Sequence, residues 1–323
     1  MAEQKNILVV VPFSDSQKQA LEAAVEGGRY ECAFSYQAPE DVDPEDLAQV
    51  NVVVGSLPPA LIKAAAGLEW LQLSWAGADV FCAPGVLSEQ VMLTNASGAY
   101  GLACSEQLLA QTFALIREIP LYVRQQEKHE WRQSGDIISV EGSTVLVLGL
   151  GDIGGDYARK VKALGAYVIG VRRNAGNAPD YCDEVVGIDG LDGALPRADI
   201  IAGALPGGPA TFHLLDEARL RACKPDAYIV NVGRGNVIDQ EALKRVLADG
   251  HLAGVGLDVF ESEPLPADDE LWDSDRVLIT PHVAGQLYLP QTVQCIADIC
   301  ANNLQAWSHG EPLAHVVNRE LGS

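Results

Sequence analysis

The sequence predicts an α/β protein made of two doubly wound, parallel-sheet domains with a cleft between them. Short apolar runs alternate with helix-like segments along the whole chain, the pattern of strands joined by crossover helices. The 323 residues suffice for two domains of ordinary size. One segment, residues 145–154, joins an apolar run to glycines at the spacing G-x-G-x-x-G.

The first hundred residues alternate between apolar runs and helical patterns. Gly27 and Gly28 close the first helical pattern, and turn residues separate the apolar runs that follow. A small α/β domain is therefore expected here. Its predicted strands are residues 7–12, 51–54, 69–74 and 91–94, and its predicted helices are residues 17–26 and 59–66.

Residues 104–127 form a connecting helical pattern that Pro120 interrupts. After it, strands and helices alternate again until a last helical segment over residues 290–307, which would return to the first domain. Ser97-Gly98 and Gly285 are the predicted hinges. The predicted domains are therefore 1–98 with 286–323, for substrate, and 99–285, for the cofactor.

The stretch around which this second domain is organised is Val-Leu-Val-Leu-Gly-Leu-Gly-Asp-Ile-Gly, residues 145–154. In a strand–turn–helix unit, Gly149 allows the tight turn, Gly151 lets a pyrophosphate approach the backbone, and Gly154 lets the helix pack on the strand. The helix end, with Asp152 and Ile153, offers free N–H groups to phosphate oxygens. We therefore predict a Rossmann-like, dinucleotide-binding domain rather than a chance set of turn glycines.

The second strand of this unit, residues 167–171, ends in Arg172-Arg173-Asn174. A carboxylate at this point would bond the ribose 2′-hydroxyl of NAD, but none is present. Two guanidinium groups suit a 2′-phosphate, although exposed arginines are also common surface residues. The sequence therefore favours NADP(H), with NAD(H) left open.

Three chemically able side chains follow strand ends in the second half. Arg234 follows the run 228–232, Glu263 follows 254–257 and His282 follows 277–281. Ligands of open parallel sheets bind at the carboxyl ends of strands, so these side chains share one rim. A histidinium can supply the proton for ketone reduction, a carboxylate can hold it charged, and an arginine can bind a carbonyl or carboxylate. Each residue alone equally suits a surface loop; their joint placement favours catalysis.

Composition excludes several other functions. The chain carries 22 basic and 44 acidic side chains, a formal net charge of −22, which argues against a nucleic-acid or anionic-membrane surface. The N-terminus lacks the pattern of a signal peptide. Seven scattered cysteines without a C-x-x-C pair predict a cytoplasmic protein with reduced thiols and no metal site. Cys104 or Cys223 as a nucleophile is a weaker alternative to a buried apolar role.

Several motifs resemble signatures of the D-isomer-specific 2-hydroxyacid dehydrogenases. They are Asn-Val-Gly-Arg-Gly at 231–235, Asp-Val-Phe-Glu-Ser-Glu-Pro at 258–264, Thr-Pro-His at 280–282, the glycine fingerprint at 149–154, and Ser-Gly-Ala-Tyr-Gly at 97–101. The resemblance covers essentially the whole chain. It implies that Arg234 binds substrate, that His282 is the acid/base, and that Glu263 pairs with His282.

The resemblance also implies the rest of the site. The backbone around Ala76 and Gly77 would receive the substrate carboxylate, a position that follows the apolar run 71–73. The family is dimeric through its cofactor domain, so residues 102–124 would form a homodimer interface, although their apolar face equally suits an internal core. The residues expected beside the nicotinamide are Leu205, Pro206, Val232, Gly233, Asp258 and His282.

The family's usual NAD-selecting aspartate is replaced by Arg172, as in its NADPH-using glyoxylate/hydroxypyruvate reductases. Glu263 stands where formate dehydrogenases have glutamine, which argues against formate oxidation. We therefore predict a 2-keto acid reductase acting on a glyoxylate- or hydroxypyruvate-like substrate. The alternative is a nucleotide-sensing or corepressor-like binding protein on the same fold.

Overall fold

Two parallel β-sheets, one in each of two units of the chain, form the framework of the protein in a computed structural model. The structure describes residues 3–133, 137–173, 175–176 and 178–319. One unit consists of Met1–Tyr100 with Leu287–Ser323, and the other of Gly101–Gln286. The predicted fold class, two parallel-sheet α/β domains, is confirmed.

The first unit contains a five-stranded sheet in the order β2-β1-β3-β4-β5. All its neighbouring strands are parallel. From β1 the chain first adds β2 on one side of the sheet, and then adds β3, β4 and β5 in turn on the other side. The elements are β1 (Glu3–Val9), α1 (Asp15–Ala24), β2 (Tyr30–Tyr36), β3 (Val52–Val54), α2 (Pro59–Ile62), β4 (Trp70–Gln72), α3 (Asp79–Cys82) and β5 (Met92–Thr94).

The second unit begins with two helices and then builds a seven-stranded parallel sheet in the order β12-β11-β10-β9-β6-β7-β8. The strand order reverses at β6, where open α/β sheets bind their ligands. The elements are α4 (Gly101–Ile116), α5 (Ile119–Glu127), β6 (Thr144–Leu148), α6 (Asp152–Ala163), β7 (Tyr167–Val171), β8 (Glu184–Val186), α7 (Leu191–Ala194), β9 (Ile200–Gly203), α8 (Glu217–Ala222), β10 (Tyr228–Asn231), α9 (Gln240–Ala248), β11 (Gly254–Leu257) and β12 (Val277–Ile279).

The last helix, α10 (Pro290–His309), belongs to the first unit and packs against α1. Its Trp307 is buried between Tyr30 and Trp70. The centroid of the Trp307 ring lies 4.6 Å from that of Tyr30 and 5.9 Å from that of Trp70. Asn303 donates a hydrogen bond to Oε1 of the fully buried Gln72 on β4, 2.7 Å. The C-terminal helix is therefore part of the core of this unit.

The central strands are continuous buried runs because helices cover both faces of a parallel sheet. Residues 145–148 of β6 and all of β9 are fully buried. None of the described helices is both long enough and apolar enough to cross a membrane.

Two predicted helices differ in extent from the observed ones. The helix predicted over residues 59–66 is shorter in the structure, where α2 covers only Pro59–Ile62. The N–H groups of Ala64 and Ala65 donate to the carbonyl oxygens three residues earlier, those of Leu61 and Ile62, so the chain continues in turns rather than in an α-helix. The helix-like sequence pattern that follows the glycine motif covers residues 155–164, whereas α6 begins earlier, at Asp152, so the glycine turn is shorter than the pattern predicts. The interruption predicted at Pro120 is confirmed, since α4 ends at Ile116 and α5 begins at Ile119.

Candidate active site

The turn after β6 requires glycine at two positions. Gly149 has a φ of +94°, and its N–H donates to the carbonyl oxygen of Val171 on β7, 2.9 Å. A Cβ atom on Gly154 would lie 1.8 Å from the carbonyl oxygen of Gly149, so α6 approaches the turn only without a side chain there. Gly151 differs, because a Cβ atom on it would meet nothing within 4 Å. The backbone at Gly151 is therefore open to an approaching group.

Helix α6 begins behind this turn without a side-chain cap. Gly151 is its N-cap residue, and the N–H of Gly155 donates to the carbonyl oxygen of Gly151, 2.8 Å. The N–H groups of Asp152, Ile153 and Gly154 therefore have no acceptor within the helix. They form the positive end of the helix dipole, which attracts phosphate oxygens. The turn and the helix end fit the pyrophosphate of a dinucleotide.

Arg172 is the first residue after β7. It is partly buried, and its backbone N–H donates to the carbonyl oxygen of Val186, 3.2 Å, whereas Arg173 is exposed. Gly176 lies against the Arg172 guanidinium, since a Cβ atom there would be 2.8 Å from Nη2. A cationic group thus stands where an NAD-selecting carboxylate would be. Asn174, also predicted to bind cofactor, lies outside the described residues.

The loops after β9 and β10 pack against each other through their backbones. A Cβ atom on Gly233 would lie 2.6 Å from the carbonyl oxygen of Leu205, so the contact depends on glycine. Leu205 and Val232 are buried, whereas Pro206 is exposed. The four residues predicted to line the nicotinamide here are therefore neighbours at the carboxyl ends of adjacent strands.

The loop that carries Arg234 is shaped by the buried side chain of Asn231. Its Oδ1 accepts a hydrogen bond from the N–H of Gly233, 3.1 Å, and its Nδ2 donates to the carbonyl oxygen of Arg234, 3.0 Å. Arg234 is partly buried, its Nη1 donates to the carbonyl oxygen of Gly233, 2.9 Å, and its stem packs on Gly207. The asparagine side chain thus fixes the backbone that presents the guanidinium.

Asp258, at the end of β11, organises the loop that carries His282. The carboxylate is fully buried. One oxygen accepts from Thr280 Oγ1, 2.5 Å, and from the N–H of Val283, 3.0 Å, and the other accepts from the N–H of Ala284, 3.0 Å. The backbone N–H of His282 donates to the Asp258 carbonyl oxygen, 2.8 Å. Asp258, predicted to line the nicotinamide, thus holds this loop at several points.

Helix α4 contributes to the same network. Nε2 of Gln107 and Nε2 of Gln111 donate to Thr280 Oγ1, at 3.2 and 3.1 Å. The Thr280 hydroxyl therefore accepts two hydrogen bonds from α4 while it donates one to Asp258, which uses its full capacity. The position of the His282 loop is thus linked to helix α4.

Glu263 and His282 form a direct pair. Nδ1 of His282 lies 2.6 Å from Oε2 of Glu263, and the N–H of Phe260 donates to Oε1 of Glu263, 2.9 Å. Both side chains are half exposed. Because a carboxylate only accepts, Nδ1 carries the hydrogen, and Nε2 has no partner in the part of the chain that the structure describes. The imidazole is oriented for proton exchange through Nε2.

The three predicted catalytic residues follow β10, β11 and β12, which are adjacent in the sheet. The structure brings Glu263 and His282 into contact, and Arg234 lies on the loop of the next strand. In the other unit, Ala76 and Gly77 follow β4. The N–H groups of Trp75, Ala76 and Gly77 make no hydrogen bond within the described residues. Consecutive free N–H groups are suited to an anion.

Residues 109–284 match the family model described as "D-isomer specific 2-hydroxyacid dehydrogenase, NAD binding domain". The chain belongs to this family. The resemblance expected from the motifs is confirmed, and the protein is an oxidoreductase. The matched residues include the glycine turn, Arg234, Glu263 and His282, so the site described above lies within the region that the family model covers.

Individual relatives of this dehydrogenase agree. A glyoxylate reductase of Korarchaeum cryptofilum is 34% identical over 245 residues, which cover 74% of this chain and 68% of the relative. A crystal structure of a D-isomer specific 2-hydroxyacid dehydrogenase family protein from Aeromonas salmonicida has a TM-score of 0.85 and 31% identity, covering 98% of this chain and 100% of that one.

A third comparison concerns cofactor use. An NADPH-dependent glyoxylate/hydroxypyruvate reductase from Sinorhizobium meliloti, solved with NADP and sulfate, has a TM-score of 0.80 and 27% identity, covering 99% of this chain and 100% of that one. Relatives described as reductases and dehydrogenases favour an enzyme over the nucleotide-sensing alternative.

The sequence does not mark the residues that position this dehydrogenase's site rather than act in it. Asn231 and Thr280 lie inside the motifs around Arg234 and His282, but the motifs do not indicate their contacts with the neighbouring loops. Gln107 and Gln111 are four residues apart, so they share one face of α4, and Gln111 is buried. Polar residues at helical spacing on a buried face were the available signal.

The cysteines and metal-binding side chains offer no competing site within the described residues. All seven cysteines are free, and no cluster of three or more His, Cys, Asp or Glu side chains could hold a metal ion. Cys104 and Cys223 are buried, and burial raises the pKa of each thiol to about 12. Both remain protonated at neutral pH, which favours the apolar interpretation over a nucleophile.

Proposed function

We propose that this dehydrogenase reduces a 2-keto acid with NADPH, and that its substrate is glyoxylate or hydroxypyruvate. The observation that carries the proposal is the contact between His282 Nδ1 and Glu263 Oε2, 2.6 Å. Reduction of a ketone places a hydride on carbon and a proton on oxygen. A histidinium held by a carboxylate suits the second task near neutral pH.

The side chains have separate roles in this proposal. His282 gives the proton from Nε2 to the carbonyl oxygen, and Glu263 holds the ring through Nδ1. Arg234 pairs with the substrate's carboxylate and carbonyl group, as guanidinium forks do. The peptide N–H groups at Ala76 and Gly77 bind the substrate carboxylate.

The cofactor assignment rests on the fit of the residues at the end of the central strands. When bound, NADPH supplies the hydride. Gly149, Gly151 and Gly154, with the N–H groups of Asp152 and Ile153, would hold its pyrophosphate. Arg172, Arg173 and Asn174 would select the 2′-phosphate, and NADP bound to the S. meliloti reductase supports this preference. Leu205, Pro206, Val232, Gly233, Asp258 and His282 would lie beside the nicotinamide.

We further propose that residues 1–98 with 286–323 bind substrate, that residues 99–285 bind the cofactor, and that the enzyme is cytoplasmic. Seven free cysteines suit a reducing compartment. A reductase of small polar acids needs neither a nucleic acid nor a membrane as a partner. The formal net charge of −22 also disfavours binding to either of these anionic surfaces.

A second copy of the chain is the proposed partner of helices α4 and α5. Five large apolar side chains of these helices are substantially exposed, at 38–51% of their surface: Leu102, Phe113, Ile119, Tyr122 and Val123. Apolar side chains grouped in this way are typical of an interface. Light scattering on the purified protein should give the mass of a dimer, and Phe113→Glu with Val123→Glu should give a monomer.

The proposed activity is tested by following NADPH oxidation with glyoxylate, hydroxypyruvate, pyruvate and a control without keto acid. Turnover that is fastest with glyoxylate or hydroxypyruvate is expected. Tight NADPH binding without turnover of any 2-keto acid would instead favour the nucleotide-sensing alternative.

A further inference from the structure

We propose that Asn95 is a positioning residue that aims the peptide N–H groups of residues 75–77 at the substrate carboxylate. The inference rests on the proposed function, because it assigns a role within the same carboxylate site. It starts from the loop after β4, whose successive carbonyl oxygens all accept hydrogen bonds from one nearby segment, residues 95–100. The bonds run from Tyr100 Oη to Ser74 O, 2.5 Å, from Ala96 N to Trp75 O, 2.9 Å, and from Asn95 Nδ2 to Ala76 O, 2.7 Å.

The planarity of the peptide bond turns these contacts into a direction for the N–H groups. In a trans peptide, the C=O of one residue and the N–H of the next point in opposite directions. The described residues contain a single cis bond, and it lies at Glu263-Pro264. Because the carbonyl groups of 74, 75 and 76 face the segment 95–100, the N–H groups of 75, 76 and 77 face away from it. These are the N–H groups without an acceptor in the described residues, and successive N–H groups of this kind form an anion-binding concavity.

Asn95 is itself held firmly enough to impose this direction. It is 4% exposed, and its Oδ1 accepts from the N–H of Ser97, 3.2 Å. Its backbone N–H donates to the carbonyl oxygen of His315, 3.1 Å, and its carbonyl oxygen accepts from Nε2 of Gln72, 3.2 Å. Gln72 in turn bonds Asn303 of α10, 2.7 Å. The core of this unit thus fixes Asn95, and Asn95 fixes the loop.

The hydrogen bonds of the Asn95 side-chain amide determine which substitution tests its role best. The amide donates through Nδ2 to Ala76 and accepts through Oδ1 from Ser97, so both its functions are used. Asn95→Asp keeps the size and the acceptor, but places a carboxylate oxygen against the Ala76 carbonyl. The Ala76–Gly77 peptide then loses its donor and gains a repulsive neighbour.

The test compares wild-type protein with Asn95→Asp, using glyoxylate kinetics and calorimetric binding of oxamate, a carboxylate that is not reduced. We expect the KM for glyoxylate and the Kd for oxamate to rise about 10-fold or more, because a charge-assisted contact is lost. The value of kcat should fall less, since the carboxylate is bound equally in the ground and transition states. The Kd for NADPH should be unchanged. As the pH is lowered and the new aspartate is protonated, its O–H can donate to Ala76, so the loss of oxamate affinity should shrink.

Tyr100→Phe is the second variant, because it removes only the hydroxyl that donates to Ser74. It should weaken oxamate binding about 3-fold and leave NADPH binding unchanged. An oxamate Kd within about 2-fold of the wild-type value in either folded variant would overturn the role of this segment. A wild-type protein that binds oxamate but reduces no 2-keto acid would overturn only the proposed function. One that neither binds oxamate nor reduces a keto acid would overturn both.

Discussion

Nδ1 of His282 lies 2.6 Å from Oε2 of Glu263, and the other oxygen of that carboxylate accepts from the backbone N–H of Phe260, 2.9 Å. The carboxylate is therefore fixed by the backbone on one side and orients an imidazole on the other. Nε2 is the ring nitrogen without a partner in the described residues, and we propose that it exchanges the proton with the substrate.

Glu263→Gln should lower kcat for 2-keto acid reduction by about 10-fold or more and leave NADPH binding unchanged. A carboxylate only accepts hydrogen bonds, whereas a glutamine amide can also turn its NH2 group toward Nδ1 of His282, so the ring loses the partner that fixes its hydrogen on Nδ1. Steady-state kinetics with saturating NADPH measures the change in kcat. A kcat equal to that of the wild type would contradict the pairing.

His282→Ala should lower kcat for keto acid reduction by about 10²- to 10⁴-fold, the usual contribution of a general acid. NADPH binding, measured by fluorescence titration, should remain within about 3-fold of the wild-type value. His213→Ala is the matched control, because His213 also faces a carboxylate, with Nε2 3.0 Å from Glu261 Oε1. A variant at 282 that keeps most of the wild-type kcat would remove this histidine from catalysis.

Arg172→Asp should reverse or abolish the preference for NADPH. The change removes a cation at the end of β7 and adds the carboxylate that bonds a ribose 2′-hydroxyl. The ratio of kcat/KM for NADPH to that for NADH should fall by about 10- to 100-fold or more, the value of a charge-assisted phosphate contact. Lys128→Asp makes the same charge change at an exposed position and should leave the ratio unchanged. Equal ratios in all three proteins would exclude Arg172 from cofactor selection.

The strands that the sequence identifies best are those buried on both faces. Tyr167–Val171 and Gly254–Leu257 have the same bounds in the sequence pattern and in the structure. The strands that the pattern misses, Tyr30–Tyr36 and Glu184–Val186, are edge strands of the two sheets. Their residues are only partly buried and include polar side chains, so no continuous apolar run marks them.

A similar limit applies to the site. Glu263 and His282 could be placed on one rim from sequence because each follows a strand end and neighbouring parallel strands end on one edge, and the family resemblance implied that they pair. The contacts that position them depend on side chains far away along the chain, such as Gln111 bonding Thr280, 169 residues apart. The helical spacing of the glutamines marks a polar face of α4, but their partner Thr280 follows from how α4 packs on the sheet, which the local pattern does not encode.

Thr280→Val should lower kcat without a matching loss of NADPH affinity. Valine keeps the shape of threonine but removes the hydroxyl that donates to Asp258 and accepts from Gln107 and Gln111. Buried polar groups left without partners cost about 1–3 kcal/mol, so the His282 loop should become less well held. Thr280→Ser keeps the hydroxyl and should retain most of the activity. Equal kcat values for the valine and serine variants would show that the hydroxyl does not position His282.

Gly151→Ala and Gly154→Ala should separate cofactor binding from folding. Gly151 has φ −76° and ψ −158°, a conformation that alanine adopts, and a Cβ atom there meets nothing within 4 Å. The apo protein with Gly151→Ala should therefore unfold at the wild-type temperature. Its Kd for NADPH should rise about 10-fold or more, because the methyl group keeps the pyrophosphate from the N–H groups of α6.

Gly154→Ala places a Cβ atom 1.8 Å from the carbonyl oxygen of Gly149, so the helix must move away from the turn. This variant should lower the Tm of the apo protein as well as its NADPH affinity, since the clash exists without cofactor. Calorimetry of the two apo variants gives their Tm values, and titration with NADPH gives their Kd values, each to be compared with the wild type. If Gly151→Ala binds NADPH like the wild type, the pyrophosphate lies elsewhere, and the uncapped end of α6 is not the phosphate site.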